Sequence, residues 1–293
     1  MKPAPFEYVR PNTLAEACRI LRENDDALPI AGGQTLVPML AMRLARPALI
    51  VDILRLPELA GIRPEGDFVV IGAATRQVEA ETSALVTADV PLLAAALPWV
   101  GHQPTRNRGT IGGSIANADP AAEIPLVART LDADIVIADE DGSRIIAARD
   151  FFLGAMSTAL PAGACIREVR FPVWSEGRIG VGFHEISARR SDFAYVAAAA
   201  QMAIDGDQRC LRIALGLAGL ADRPIAIDVS HLIKSQLSEI AADAHVRSAI
   251  EQATRDLDIS SDLHASASYR RRLAVALATR ALNDAAANAA SPG

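Results

Sequence analysis

Two glycine pairs and two acids are the residues of this sequence best placed to do chemistry. Thr110 to Glu123 reads Thr-Ile-Gly-Gly-Ser-Ile-Ala-Asn-Ala-Asp-Pro-Ala-Ala-Glu. The Gly112-Gly113 pair predicts a tight turn, where two missing Cβ atoms let a ligand touch bare backbone. Asp119 reads as an N-cap and Pro120 as the first residue of a helix running to Arg129. Backbone N–H groups beside a helix start suit a diphosphate. Glu123 follows Asp119 by one helical turn, so both carboxylates would face one ligand. Carboxylates repel phosphate but accept hydrogen bonds from sugar or ribityl hydroxyls. The stretch reads as a nucleotide cradle, with phosphates on Thr110, Gly112, Gly113 and Ser114 and hydroxyls on Asp119 and Glu123.

A second pair lies upstream in Ala31-Gly32-Gly33-Gln34-Thr35-Leu36. It follows an apolar run, Leu28 to Ile30, and precedes a helical pattern through Met39, Leu40 and Leu44. Strand, glycine turn and helix in that order can seat a phosphate. The pair is neither the Rossmann G-x-G-x-x-G nor a Walker loop, since no lysine follows it. Taken alone, each pair reads better as an ordinary turn than as a ligand site.

Together the segments resemble the FAD-binding medium subunit of the molybdenum hydroxylases, the family of carbon monoxide dehydrogenase and xanthine dehydrogenase. Ala31 to Pro38 is similar to that family's A-G-G-x-[ST]-L-x-P. Arg106 to Glu123 is similar to its R-N-R-G-T-I-G-G-S-x-A-x-A-D-P-A-A-[DE]. Ala188-Arg189-Arg190-Ser191-Asp192-Phe193-Ala194 resembles A-R-R-x-x-D-[FY]-A with one residue fewer before the aspartate. Asp262 and Tyr269 to Arg271 resemble the C-terminal signature. The resemblance implies an α+β protein: a two-subdomain FAD-binding fold of the PCMH (vanillyl-alcohol oxidase-like) type over residues 1–174, with subdomains 1–55 and 56–174. A smaller α+β domain with an antiparallel sheet and helices follows over 175–293.

The resemblance also implies a role. FAD would be held by backbone of Ala31 to Leu36 and Thr110 to Ser114, with the Thr35 and Ser114 hydroxyls adding bonds. Glu123, and less directly Asp119, would bind flavin hydroxyls. An aromatic near the isoalloxazine ring is expected at Phe193, with Tyr195 as the substitute; the plain alternative is core packing for Phe193 and a half-buried strand position for Tyr195. No catalytic nucleophile and no metal ligands are expected in this chain. A small subunit with two [2Fe–2S] clusters and a large molybdopterin subunit are the expected partners, in a dimer of heterotrimers. Gln34 departs from the family's usual His or Thr. No histidine lies in either glycine motif, so a covalent flavin is not expected. Two rival readings are a stand-alone flavin oxidoreductase, which needs its own acid or base beside the flavin, and an assembly subunit with an empty cleft. Replacing Gly112 and Gly113 by valine is expected to remove flavin and spare the fold.

Totals set the bounds. The chain has 293 residues, 51% of them hydrophobic and 22% charged, enough for two globular domains. A net charge of −6 argues against nucleic acid. Met1 to Arg10 has no apolar core of a signal peptide, and no run of apolar residues is long enough to span a bilayer, so the cytoplasm is expected. Cys18, Cys165 and Cys210 are widely spaced with no C-x-x-C, which argues against a disulfide framework or zinc site. A [2Fe–2S] cluster needs four thiolates, more than this chain has.

The surrounding elements must position these groups. Thr13 to Glu16 is a capping box, with Leu14, Cys18 and Leu21 on one helical face. Ala48 to Ile53 is a buried strand closing a βαβ-like unit, and Asp52 a strand-end hydrogen-bonding residue. Phe68 to Ile71 is a strand, Thr75 to Ala80 a capped helix, and Pro91 to Leu97 a helix with proline in its first turn. Gly101 to Pro104 is a loop whose His102 reads as bonding backbone. Arg106 and Arg108 could face diphosphate, solvent or a partner. Ala133 to Ala138 and Arg144 to Ala147 form a hairpin, Phe151 and Phe152 are core, and Ile166 to Phe171 is a strand. Gly180 to Ile186, Val196 to Ile204 and Leu211 to Leu220 are extended and antiparallel. Leu232 to Thr254 is helical in pattern, and Ser266 to Leu282 is the final helix. Arg270 to Arg272 form a solvated or subunit-facing cluster, and the tail from Asn283 frays.

Overall fold

The computed structural model describes residues 2–240, 244–255, 257–259 and 261–291. The chain opens with a three-stranded parallel sheet ordered β1-β3-β2, from β1 (Glu7–Val9), β2 (Ala27–Ile30) and β3 (Leu49–Asp52). Helix α1 (Leu14–Glu23) crosses between the first two strands. Its Thr13 Oγ1 accepts from Glu16 N at 3.1 Å, and Glu16 Oε2 reaches back to Asn12 N at 2.7 Å. Leu14, Ala17, Cys18 and Leu21 are its buried stripe. Helix α2 (Leu36–Ala41) joins β2 to β3. Asp52 ends β3, where its carboxylate accepts from the Tyr8 hydroxyl, Arg10 Nε and Leu54 N.

A five-stranded antiparallel sheet follows. It contains β4 (Ile62–Glu65), β5 (Phe68–Gly72), β6 (Asp134–Asp139) and β7 (Gly142–Ala147). A small hairpin, β8 (Phe152–Gly154) and β9 (Ser157–Thr158), stands apart from it, and β10 (Cys165–Pro172) returns to its centre, giving the order β4-β5-β10-β6-β7. Between β5 and β6 run short helices α3 (Gln77–Glu81), α4 (Ala84–Asp89), α5 (Pro91–Ala96), α6 (Gln103–Arg106), α7 (Ile111–Asn117) and α8 (Glu123–Leu131). Helix α9 (Ala148–Phe151) follows β7.

The last part is a four-stranded antiparallel sheet, β11 (Arg178–Ile186), β12 (Val196–Ile204), β13 (Cys210–Ala218) and β14 (Ile225–Ile227). It is followed by α10 (Leu237–Ile240), α11 (Ala244–Arg255) and α12 (Ala267–Ala290). Residues 241–243, within the span read as helical, lie outside the described residues. Every residue of β12 is buried, because α5 and α8 cover one face of the sheet and α12 the other. One core therefore runs from the five-stranded sheet through Ile124, Leu126 and Val127 to Phe183, Ala197 and Ala199.

Several expectations are corrected. The chain from Asn283 does not fray up to Ser291: α12 continues to Ala290, and Ala281, Ala285 and Ala289 are buried against β11. A Cβ on Gly182 would come within 2.9 Å of Ala281 Cα, so glycine on the strand and alanine on the helix let two backbones meet. Pro292 and Gly293 are outside the described residues. Arg270 is not solvated: it is 7% exposed and donates to Tyr195 O at 2.5 Å and Gly219 O at 2.9 Å, beside Asp262 at 2.5 Å. Arg271 donates to Leu257 O at 3.2 Å, and Arg272 lies over the Tyr269 ring. Thr75 does not cap α3; it is buried and donates to Gly61 O, leaving Arg76 as the cap residue with no side-chain bond. Residues 103–106 form a short helix rather than a loop.

Candidate functional site

The two glycine segments meet. A Cβ on Gly32 would lie 2.8 Å from Gly109 Cα and also strike Arg108 O, so the first corner rests on the backbone that leads into the second. Around this junction is a cavity of about 620 Å³, lined by Ala31 to Leu36, by Thr110, Gly112, Gly113 and Ser114, by Asp119 and Glu123, and by Phe193. Of the residues picked from sequence, only Tyr195 is outside the lining. Its N–H bonds Ile186 O, and its ring stacks on His264 with centroids 5.8 Å apart. Phe193 is 77% exposed and projects from the β11–β12 connection, where Arg189 and Asp192 pair at 3.1 Å.

The first corner keeps free donors. Gly33 has φ +70, a conformation glycine adopts without strain, and turns the chain out of β2. The first hydrogen bond of α2 runs from Val37 N to Gly33 O, so the N–H groups just before it have no place in the helical ladder. Thr35, at the cap position, makes no side-chain cap bond. Gln34 Nε2 donates to Gly32 O at 3.2 Å and braces its own corner.

The second corner is built differently from the turn expected. Gly112 and Gly113 lie in the first turn of α7, capped by Thr110, whose Oγ1 accepts from Gly113 N at 3.1 Å. Gly112 N donates to Ala73 O at 2.8 Å, Ile111 N to Thr75 O and Ser114 N to Thr110 O. These amides are already used, so this corner offers the Thr110 and Ser114 hydroxyls and an open surface. The two glycines also differ. Gly112 is buried, and a Cβ there would lie 2.6 Å from Ala73 Cα; Gly113 is exposed, and a Cβ there would meet only Thr110. The expectation that valine at both positions spares the fold therefore fails at Gly112.

Asp119 does not cap a helix. Its Oδ1 accepts from Ala121 N at 2.9 Å in a turn, and α8 begins three residues later than expected, at Glu123, behind Ala122. Glu123 thus sits at the helix start with its side chain 8% exposed against the cavity. Burial pushes its carboxyl up to about 7; its own backbone N–H opposes this, Asp119 adds to it and Arg106 opposes it. Arg106 faces neither the cavity nor solvent. It is 12% exposed and clamps Glu81 through two bonds of 2.7 and 3.1 Å while donating to Gly101 O and Val100 O. Arg108 contributes its carbonyl, which accepts from Arg76.

Sequence reasoning missed Gln77, Asn117, Leu160 and Ile166, all on the cavity wall. Asn117 lay inside the recognised motif; Gln77, Leu160 and Ile166 carry no pattern of their own and reach the wall only through folding. The cavity combines free amides and hydroxyls at one end, a buried carboxyl, and apolar walls from Leu36, Met39, Ile53 and Leu160. That donor set fits a phosphate-linked ligand with a flat apolar ring.

The family described as the FAD-binding domain in molybdopterin dehydrogenase matches residues 4–174, and the CO dehydrogenase flavoprotein C-terminal domain matches 182–285. The 6-hydroxypseudooxynicotine dehydrogenase complex subunit alpha of Paenarthrobacter nicotinovorans is 38% identical over 287 residues, covering 96% of this chain and 95% of that protein. The carbon monoxide dehydrogenase medium chain of Afipia carboxidovorans is 34% identical, covering 99% of each. A solved chain of Hydrogenophaga pseudoflava carbon monoxide dehydrogenase lacking the Mo-pyranopterin moiety superposes with a TM-score of 0.92 at 33% identity, covering 99% of this chain and 100% of that one. The chain belongs to the FAD-binding medium subunits of the molybdenum hydroxylases, an oxidoreductase family.

Proposed function

We propose that this chain holds FAD in the cavity between the two glycine segments and serves as the electron-transfer subunit of its complex. Bound there, FAD would supply chemistry able to accept electrons singly, from [2Fe–2S] clusters expected in a small partner subunit, and to release them as a pair to a terminal acceptor. The observation that carries the reading is the convergence of both glycine segments, Glu123 and the 187–193 connection on one cavity. In this reading the free N–H groups of the first corner and the Thr35, Thr110 and Ser114 hydroxyls hold the diphosphate. Glu123 and Asp119 receive the ribityl or ribose hydroxyls. Phe193, on the cavity lining, would stand beside the ring and limit water. Ala31, Gly32 and Leu36 shape the wall, and Gln34 stiffens the corner rather than touching the reacting ring.

The reading also divides the chain near residue 174, in line with the two family matches. Substrate is recognised elsewhere, in a large molybdopterin subunit of a dimer of heterotrimers. Relatives whose names specify 6-hydroxypseudooxynicotine and carbon monoxide are similar to this chain over nearly its full length, which supports a shared electron-outlet role over a shared substrate. The test is purification of the chain with its companion subunits, followed by visible spectroscopy and chromatography of released cofactor. Stoichiometric FAD with iron–sulfur absorbance from a companion is expected. A complex that is active yet contains no flavin overturns the reading.

A further inference from the structure

Glu185 is a buried carboxyl with nothing to bond. It is 7% exposed on β11, and neither Oε1 nor Oε2 has a hydrogen-bond partner. An unsatisfied buried carboxylate costs several kcal/mol, so such a group keeps its proton or finds one to share.

Sheet register shows what it faces. Across β11, β12 and β13, Phe183 pairs with Ala199 and Ala199 with Gly216; one step along the same face, Glu185 pairs with Ala197 and Ala197 with Ala218. Helix α8 lies on this face. A Cβ on Gly216 would come 3.1 Å from both Leu126 Cδ1 and Thr130 Cβ, which fixes Leu126 and Thr130 at the Gly216 row. Glu123 precedes them on the same helical stripe, at i−3 from Leu126 and i−7 from Thr130. The chain just before it is tied to the next row, since Gly219 N donates to Pro120 O at 2.9 Å. The start of α8, and with it Glu123, therefore lies at the β13 end of the row of Ala218, Ala197 and Glu185. One carboxyl lines the cavity, and the other backs it from inside the core.

We propose that Glu185 is a positioning residue of the cofactor site, a protonated carboxyl that shares its proton with Glu123 and holds the Glu123 carboxylate toward the cavity. The proposal rests on the flavin reading above. Two neighbouring buried carboxylates do not both ionise, so the pair retains at least one proton at neutral pH. Burial, then the charge on Glu123, pushes the Glu185 carboxyl up to about 8. The groups acting on Glu123 besides its own backbone are Asp119 and Arg106. Helix α5 and strand β12 present no ionisable side chain to Glu185, Gln201 being the polar residue of β12. Arg190 of the 187–193 connection lies over the Trp99 ring, and His184 pairs with Asp284 on the opposite face of β11.

The test measures FAD binding to the deflavinated full chain by flavin fluorescence between pH 6 and 9.5, for the unaltered protein, E185A and E185Q. The unaltered chain is expected to lose FAD on the alkaline side, its Kd rising up to about tenfold per pH unit above about pH 8 as the pair gives up its last proton. E185A weakens binding at pH 7 by about tenfold, through loss of the donor. E185Q, a neutral donor of the same shape, restores binding at pH 7 and flattens the alkaline limb. Infrared spectroscopy of the unaltered chain at pH 8, where Glu123 with a value of about 7 is mostly ionised, should show a protonated-carboxyl C=O band that E185Q largely lacks; this readout needs no ligand. FAD binding with one level and one pH profile in all three chains, or an infrared band unchanged in E185Q, overturns the proton-sharing pair. Failure of the unaltered chain to bind FAD at any pH overturns the flavin reading instead, while the infrared comparison still judges the pair.

Discussion

Adjacent glycines give a test in which the same substitution has opposite consequences. At Gly112 an added methyl meets Ala73, with Cα at 2.6 Å and the carbonyl oxygen at 2.8 Å, and it competes with the 2.8 Å bond from Gly112 N to Ala73 O. Overpacking against backbone costs about 1–3 kcal/mol and a strained hydrogen bond about 1 more, while replacing a helical glycine by alanine returns about 1. The net for Gly112→Ala is a loss of about 1–3 kcal/mol, a fall in Tm of roughly 2–5 °C for a chain of this size. At Gly113 the methyl meets only Thr110 Oγ1, at 2.6 Å. Loss of that cap costs about 1 kcal/mol and helix propensity returns about the same, so Tm should stay within about a degree. The methyl at 113 nevertheless stands on the exposed, cavity side of α7 and should raise the FAD Kd about tenfold, near 1.4 kcal/mol. Thermal denaturation of the flavin-free chain and fluorescence titration with FAD separate the two quantities. If Gly113→Ala leaves FAD affinity intact, or if Gly112→Ala leaves Tm unchanged, the division of labour between packing glycine and cavity glycine is wrong.

Two further outcomes follow from the buried charges. Glu123 has a folded value near 7, above the carboxyl's ordinary 4.5, so its contribution is fully present below pH 4.5 and lost as pH rises through about 7; the Tm advantage of Glu123→Gln over the unaltered flavin-free chain should therefore grow from pH 5 to pH 8, and a difference that is flat or shrinks contradicts the burial of that carboxyl. Arg270→Met removes the donor to two carbonyls and Asp262 and should cost roughly 2–4 kcal/mol, whereas Arg272→Met, whose guanidinium lies over an exposed ring, should cost less than about 1; equal Tm changes in urea-free thermal scans would mean that Arg270 does not tie α12 to the sheet.

Local rules made much of this molecule legible in its residues. The Thr13 hydroxyl caps a helix by taking the Glu16 N–H while the Glu16 carboxylate takes the Asn12 N–H just before it, alternation in Ile166 to Phe171 specifies one strand, and the apolar run Val196 to Ile204 reads as a strand buried on both faces. The glycine segments and the acids at 119 and 123 could be singled out because few other residue types serve a phosphate and a polyol together. What tertiary structure alone decided depends on partners distant in sequence. Gly112 is a packing residue because Ala73 lies beneath it, and Arg106 is a clamp because Glu81 faces it. Arg270 is buried because the carbonyls of Tyr195 and Gly219 converge on it, and the alanine-rich tail stays helical because β11 presents glycines to it. Glu185 had no signal in its own neighbourhood. Its environment is made by register between strands and by one stripe of α8 that begins about sixty residues upstream, none of which a local pattern encodes.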